Sequence, residues 1–100
     1  MASSTKLSLQ QIEERLAELS GWSVSQGKLH REYKFSDFVH AFGFMASVAT
    51  KAEALAHHPE WSNVWNRVTV DLSTHDAGGI TEKDFELAAA MEALAKKLAA

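Results

Sequence analysis

The sequence predicts an α+β domain: a four-stranded antiparallel sheet with three helices packed on one face, in the order αββαββα. Three observations carry this. Apolar residues recur at helical spacing in three segments, and two other stretches alternate apolar and polar residues around a short turn. After the first helix, the strand–strand–helix plan occurs twice without any residue-level repeat. One hundred residues suffice for one core but not for two. Residues 1–100 are therefore read as a single domain, with residues 1–7 as a flexible N-terminal tail.

The first helix is predicted over Leu9 to Leu19. Ser8 followed three residues later by Gln11 has the form of a capping box, and Leu9, Ile12, Leu16 and Leu19 share a face. Gly21 ends it. Trp22 and Val24 alternate with serines, Gln26-Gly27 supplies a tight turn, and Leu29, Arg31, Tyr33 and Phe35 occupy one face of the second strand. Ser36 is read as the cap of a second helix whose apolar face runs through Phe38, Val39, Phe42, Met45, Ala46, Ala49, Ala52 and Leu55 or Ala56. Pro59 disfavours helical geometry in its predecessor, so the helix should stop near His57 and leave His58 extended. Trp61 to Trp65 reads as a third strand, Asn66 as a turn, and Val68, Val70 and Leu72 as one face of a fourth. Thr81 and Asp84 form a second capping box, after which Phe85, Ala88, Met91, Leu94, Ala95 and Leu98 make an apolar stripe.

Composition narrows the function. No apolar run is long enough to cross a bilayer, and the start MASSTKLS lacks the apolar core of a secretory signal, so a cytoplasmic location is expected. The absence of cysteine removes disulfides, thiolate nucleophiles and cysteine zinc sites. A net charge of −3, with lysines and arginines scattered, offers no stripe for phosphates and argues against direct nucleic-acid binding. A small sheet with exposed edges suggests a homo-oligomer.

Chemistry is left to the imidazoles. Glu53 and His57 are four apart, so the carboxylate either orients that imidazole or forms an ordinary solvated pair. His75 follows the fourth strand and returns to the side of the sheet where the third begins, near His57 and His58. Three imidazoles lining one cleft suit proton transfer near neutral pH. Zinc bound by three histidines is a weaker reading, because adjacent residues rarely converge on one metal; no metal is expected. Asp84 is accounted for by helix capping, and Asp71 and Asp76 by a strand end. His30 and His40 read as surface residues. Trp22, Trp61 and Trp65 read as core or interface aromatics, with Trp61 alone kept as a site candidate. No nucleophile elbow, phosphate loop or dinucleotide fingerprint occurs.

One spaced pattern is more specific. Glu53-x3-His57-His58-Pro59, five residues, Trp65, nine residues, His75, eight residues and Asp84 resembles the signature of the pterin-4a-carbinolamine dehydratases. The resemblance runs from about Leu7 to Leu94. It implies an α+β fold and a hydro-lyase that dehydrates 4a-hydroxytetrahydrobiopterin to quinonoid dihydrobiopterin in the recycling that serves aromatic amino acid hydroxylases. The pterin is the substrate, and no cofactor is implied. Carried over by position, His57, His58 and His75 match the essential histidines, and Ala56 to His58 with Ser73, Thr74, His75 and Asp76 match the pterin-contacting stretches. Within this reading His57 and His75 exchange protons with the hydroxyl, one for each stereoisomer at C4a, His58 orients the ring, and Glu53 and Asp84 support them. The resemblance also implies dimers or tetramers. Some animal relatives act as dimerisation cofactors of a homeodomain transcription factor, which leaves an interaction module, with a nuclear location, as the alternative. Departures are Trp65 where tyrosine is common, Lys83 for arginine, Ala56 for aspartate and Asp76 for glutamate. Ala56 can offer only backbone or apolar contact, and Lys83 offers no bidentate guanidinium.

Overall fold

The computed structural model describes residues 5–98. The chain runs α1 (Leu9–Leu16), β1 (Ser23–Ser25), β2 (Lys28–Lys34), α2 (Phe38–Leu55), β3 (Glu60–Val64), β4 (Arg67–Leu72), a 3₁₀ turn (His75–Ala77) and α3 (Glu82–Leu98). The predicted element order and class hold. The four strands form one antiparallel sheet in the order β1-β2-β4-β3, so the two hairpins meet through β2 and β4.

Register decides what faces the helices. Pairing Leu29 with Leu72, Arg31 with Val70 and Tyr33 with Val68 puts the apolar members of β2 and β4 on one face. There they join Ile12 of α1, Phe44 and Val48 of α2, and Phe85, Ala88 and Met91 of α3 in one core. The opposite face carries His30 across from Asp71, Glu32 across from Thr69, and Lys34 across from Arg67. β1 pairs only with residues 28–30, so β2 runs on from Arg31 to Lys34 with no strand on that side among the described residues. Gln26 and Gly27, both at positive φ (52° and 76°), make the turn that the twist of a hairpin favours.

The helices show where periodicity and structure part. α1 keeps the predicted capping box at Ser8 and Gln11 but ends at Leu16 rather than Leu19. Beyond it Glu18 and Leu19 donate to the carbonyls of Arg15 and Leu16, three residues back, so the chain tightens toward Gly21 at φ 89°. Asp37, not Ser36, caps α2: its carboxylate accepts the His40 N–H at 2.8 Å. That bond, followed by the His40 ring, holds the Asp37 carboxyl below its ordinary value.

The buried face of α2 also differs from the predicted one. It runs through Ala41, Phe44, Val48 and Ala52, while Phe38, Val39 and Phe42 are exposed. α2 is apolar around much of its circumference, and a period of 3.6 residues fits two stripes in such a sequence. Of the predicted tail, residues 1–4 lie outside the described residues. Leu7 is anchored, since its N–H donates to the Ile80 carbonyl at 2.8 Å and its side chain packs against the core.

α3 is pinned to the sheet by one carboxylate. Glu92 accepts from the Trp22 indole at 2.8 Å, the Tyr33 hydroxyl at 2.6 Å and the Arg31 guanidinium at 3.2 Å. Burial, and then the hydrogen bond to Glu92, raise the Tyr33 phenol far above its ordinary value, so Tyr33 is always the donor. At the other end Arg15 pairs with Glu82 and lies over the Phe85 ring. Phe44 is fully buried and touches the rings of both Tyr33 and Phe35. Phe44→Ala should therefore cost about 3–5 kcal/mol in urea unfolding.

Candidate active site

The site begins where α2 stops. Ala56 takes the left-handed conformation (φ 53°, ψ 39°), and the His57 N–H reaches back to the Ala52 carbonyl at 3.0 Å. This closes the helix in the manner of a Schellman motif, with alanine where glycine is usual. The reversal has a direct consequence. His57 lies beyond α2 rather than on it, and Glu53 cannot meet it one turn away. Glu53 instead meets His58, with Oε1 2.8 Å from Nε2, and both side chains are exposed. The expected Glu53–His57 pair is thus replaced by Glu53–His58, because the chain turns at Ala56 before the helical face reaches His57.

His57 has a different carboxylate. Its Nε2 lies 2.6 Å from Asp84 Oδ1, in a buried pair at the start of α3. Asp84 is fully buried. Its second oxygen accepts the Thr81 N–H at 2.9 Å, completing the predicted cap, and the Thr74 hydroxyl at 3.0 Å. The Thr74 and Thr81 hydroxyls are 2.7 Å apart, and Thr81 Oγ1 also accepts the Lys83 N–H at 3.2 Å. One carboxylate thereby joins the end of α2, the segment after β4 and the first turn of α3.

That segment brings in His75. Thr74 forms an isolated bridge with Gly79, and its carbonyl accepts from Ala77, Gly78 and Gly79, so the 3₁₀ turn that starts with His75 is closed on itself. His75 and Asp76 are exposed, and Ser73 is half-buried. Four histidines face a carboxylate: His30 with Asp71, His40 with Asp37, His57 with Asp84 and His58 with Glu53. Among the described residues, the His75 ring alone makes no such contact. His57 Nδ1 takes part in no hydrogen bond, and no buried side-chain nitrogen or oxygen among the described residues lacks a partner. Nδ1 is therefore not fully shut off from solvent.

The remaining candidates divide. Trp61 is half-buried against the core on β3, Ala56 is exposed at the turn, and Thr74 directs its hydroxyl inward to Asp84. Trp65, at φ 51°, sits on the β3–β4 turn and is 66% exposed, at the opposite end of β3 from the histidines. Among the described residues, no three His, Cys, Asp or Glu side chains converge as metal ligands. A surface groove of about 510 Å³ between α2 and α3 contains none of the candidate residues.

Residue spacing alone read Asp84 as a cap; its role in support of the histidines came only through the resemblance, without His57 singled out as its partner. The signal was available: Asp84 is in phase with Ala88, Met91 and Ala95 on the buried stripe of α3. A carboxylate on that stripe must have partners.

Comparison with known proteins agrees with this fold. The family model for pterin 4 alpha carbinolamine dehydratase matches residues 5–94. The chain belongs to this family. A Solibacter usitatus protein provisionally named a pterin-4-alpha-carbinolamine dehydratase is 66% identical over 91 residues, covering 91% of this chain and 96% of its own. A Rhizobium johnstonii protein of the same provisional name is 53% identical, over 86% of this chain and 87% of its own. A Brucella melitensis crystal structure, described as a transcriptional coactivator/pterin dehydratase, superposes with a TM-score of 0.88 at 46% identity. That match covers 91% of this chain and 99% of the Brucella chain. The dehydratase family thus shares the helix-on-sheet architecture that carries the His57–Asp84 pair.

The two carboxylate–histidine pairs should behave differently on mutation. Removing the fully buried partner, as Asp84→Ala, leaves two hydroxyl or N–H groups and an imidazole without an acceptor and should cost about 2–4 kcal/mol. Glu53→Gln breaks an exposed pair and should cost less than about 0.5 kcal/mol. Urea denaturation of the two variants measures both.

Proposed function

We propose that this protein dehydrates a 4a-hydroxytetrahydropterin to the quinonoid dihydropterin, with 4a-hydroxytetrahydrobiopterin as its substrate and no metal or further cofactor. The observation that carries this reading is the buried His57–Asp84 pair, tied through Thr74 to the segment bearing His75, in a chain of the pterin dehydratase family.

The chemistry needs little more than two imidazoles. Hydroxide is a poor leaving group, so the oxygen on C4a must gain a proton as the C–O bond breaks. A ring-nitrogen lone pair supplies the electrons, and a ring N–H then gives up its proton. One proton enters the hydroxyl and one leaves the ring, so water departs and the pterin becomes quinonoid. Two histidines serve as donor and acceptor without any covalent intermediate. His57 works through Nδ1, because Asp84 occupies Nε2. His75, whose ring has no carboxylate neighbour among the described residues, works from the other side of the substrate, and the two exchange roles for the two stereoisomers at C4a. His58, held by Glu53 at the rim, orients the pterin together with Ala56, Ser73 and Asp76; Trp61 offers an apolar edge. Thr74 contributes through position rather than a free hydroxyl.

In the cell this activity would recycle the pterin released by an aromatic amino acid hydroxylase in the cytoplasm. The rate at which a freshly made 4a-hydroxytetrahydropterin decays, with and without protein, tests the assignment. The protein should accelerate decay, and replacing His57 and His75 together by alanine should lower kcat/KM by about 10²-fold or more while the circular dichroism spectrum is kept. No acceleration at stoichiometric protein would overturn it.

A second reading has one observation in its favour, the coactivator description of the Brucella relative. Under it, the protein binds a transcription factor in the nucleus or nucleoid, and catalysis is secondary. Both readings involve self-association to a dimer or tetramer. The exposed rings of Phe38 and Phe42, 5.9 Å apart on the outer stripe of α2 beside Val39, support it. Phe42→Glu should lower the assembly mass seen by analytical ultracentrifugation, and an unchanged mass would remove that stripe from the interface.

A further inference from the structure

We infer that the Thr81 hydroxyl is a positioning group for His57, acting through Thr74 and Asp84 to keep the His57 proton on Nε2 and the Nδ1 lone pair free. The inference rests on the reading of His57 as a proton-transfer residue, and it adds a residue that the signature pattern does not contain.

Each hydroxyl has one proton to give. The Lys83 N–H is a fixed donor and points at Thr81 Oγ1 (3.2 Å), so Thr81 can send its own proton to Thr74 Oγ1 (2.7 Å). Thr74 Oγ1, having accepted, sends its proton to Asp84 Oδ2 (3.0 Å). The Thr81 N–H, another fixed donor, reaches that same oxygen (2.9 Å). Asp84 Oδ2 therefore accepts twice, and Oδ1 is the carboxylate acceptor left for a third donor. Across 2.6 Å from Oδ1 stands His57 Nε2, which must then be the donor. A neutral ring with its proton on Nε2 has its lone pair on Nδ1, the nitrogen not fully shut off from solvent.

From the Thr81 hydroxyl to His57 the links in this chain are buried. Thr74 is 6% exposed, and Thr81 and Asp84 are fully buried. Water therefore does not compete for the direction of the bonds, and the relay keeps one sense. Without the Thr81 hydroxyl, the Thr74 hydroxyl loses the donor that fixes its direction and the grip on Asp84 Oδ2 weakens. The backbone N–H of residue 81 still donates to Asp84, so that half of the cap of α3 survives, while the Lys83 N–H loses its side-chain acceptor. Part of the helix start is therefore kept without the hydroxyl.

The test uses ¹⁵N-histidine-labelled full-length protein, with the His57 signals identified by comparison with His57→Gln. In the wild type, Nε2 should carry the pyrrole-type shift and Nδ1 the pyridine-type shift. Thr81→Val should bring the two nitrogen shifts toward each other as the tautomers mix, and should lower kcat by roughly five- to tenfold with KM within about twofold. Thr81→Ser keeps the hydroxyl and should restore both the shifts and kcat. A wild-type ring protonated on Nδ1, or unchanged His57 shifts in a folded Thr81→Val, would overturn the inference. If Thr81→Val fails to fold, the wild-type tautomer and Thr81→Ser still decide it, since either a proton on Nδ1 or a Ser variant with mixed tautomers would count against it. Absence of dehydratase activity in the wild type would defeat the proposed function alone, because the nitrogen shifts are read without substrate.

Discussion

The buried carboxylate of Asp84 is the point on which the rest of the site depends. It sits at the third position of α3, where it answers the unsatisfied N–H of Thr81, and from there it reaches two other segments of the chain. A carboxylate taken out of water is costly unless its lone pairs are filled, and here two oxygens receive three donors. The same requirement that makes Asp84 expensive to bury makes it demanding of geometry. The end of α2 and the loop after β4 are held against α3 because the charge has no other way to be satisfied.

Architecture and site are joined through that constraint. The sheet brings the start of β3 and the end of β4 to one edge of the core, so His57 and the 3₁₀ turn enter the same region from different directions. The hairpins alone would leave these loops loosely placed. The Schellman-type closure at Ala56 aims His57 inward and His58 outward, and the Thr74 carbonyl closes the turn that carries His75. One imidazole is thus fixed by a buried partner and another is left at the surface, a difference made by backbone rather than by residue type.

Much of this was legible in the sequence, and the failures share a cause. The strand faces came directly from alternation, because Leu29, Tyr33, Val68, Val70 and Leu72 permit only one inward register. The caps at Ser8 and Thr81 were readable as short local patterns. In α2 the period was correct but the phase was not, since apolar residues fill two stripes and only tertiary packing chooses Phe44 over Phe42. The histidines themselves stood out by number and spacing. Their partners did not, because the left-handed turn at Ala56 has no glycine to announce it, and a helical count from Glu53 then points to the wrong ring. Asp84 has two roles: the local one was visible in its spacing from Thr81, while the other, spanning 27 residues of chain, was offered only by the resemblance.

The brevity of β1 has a consequence for the chain while it folds. Beyond His30, one side of β2 offers backbone donors and acceptors to anything extended, which in a newly made polypeptide includes every neighbour of the same sequence. Arg31, Glu32 and Lys34 line that open length, with Tyr33 the one uncharged residue among them. Charges of both signs discourage stacking in parallel register, where like would meet like, and tolerate an antiparallel meeting that sets Glu32 opposite Lys34. The short strand therefore leaves a filter against uncontrolled polymerisation, built from Glu32 and Lys34 together with Arg31, which also serves the Glu92 contact.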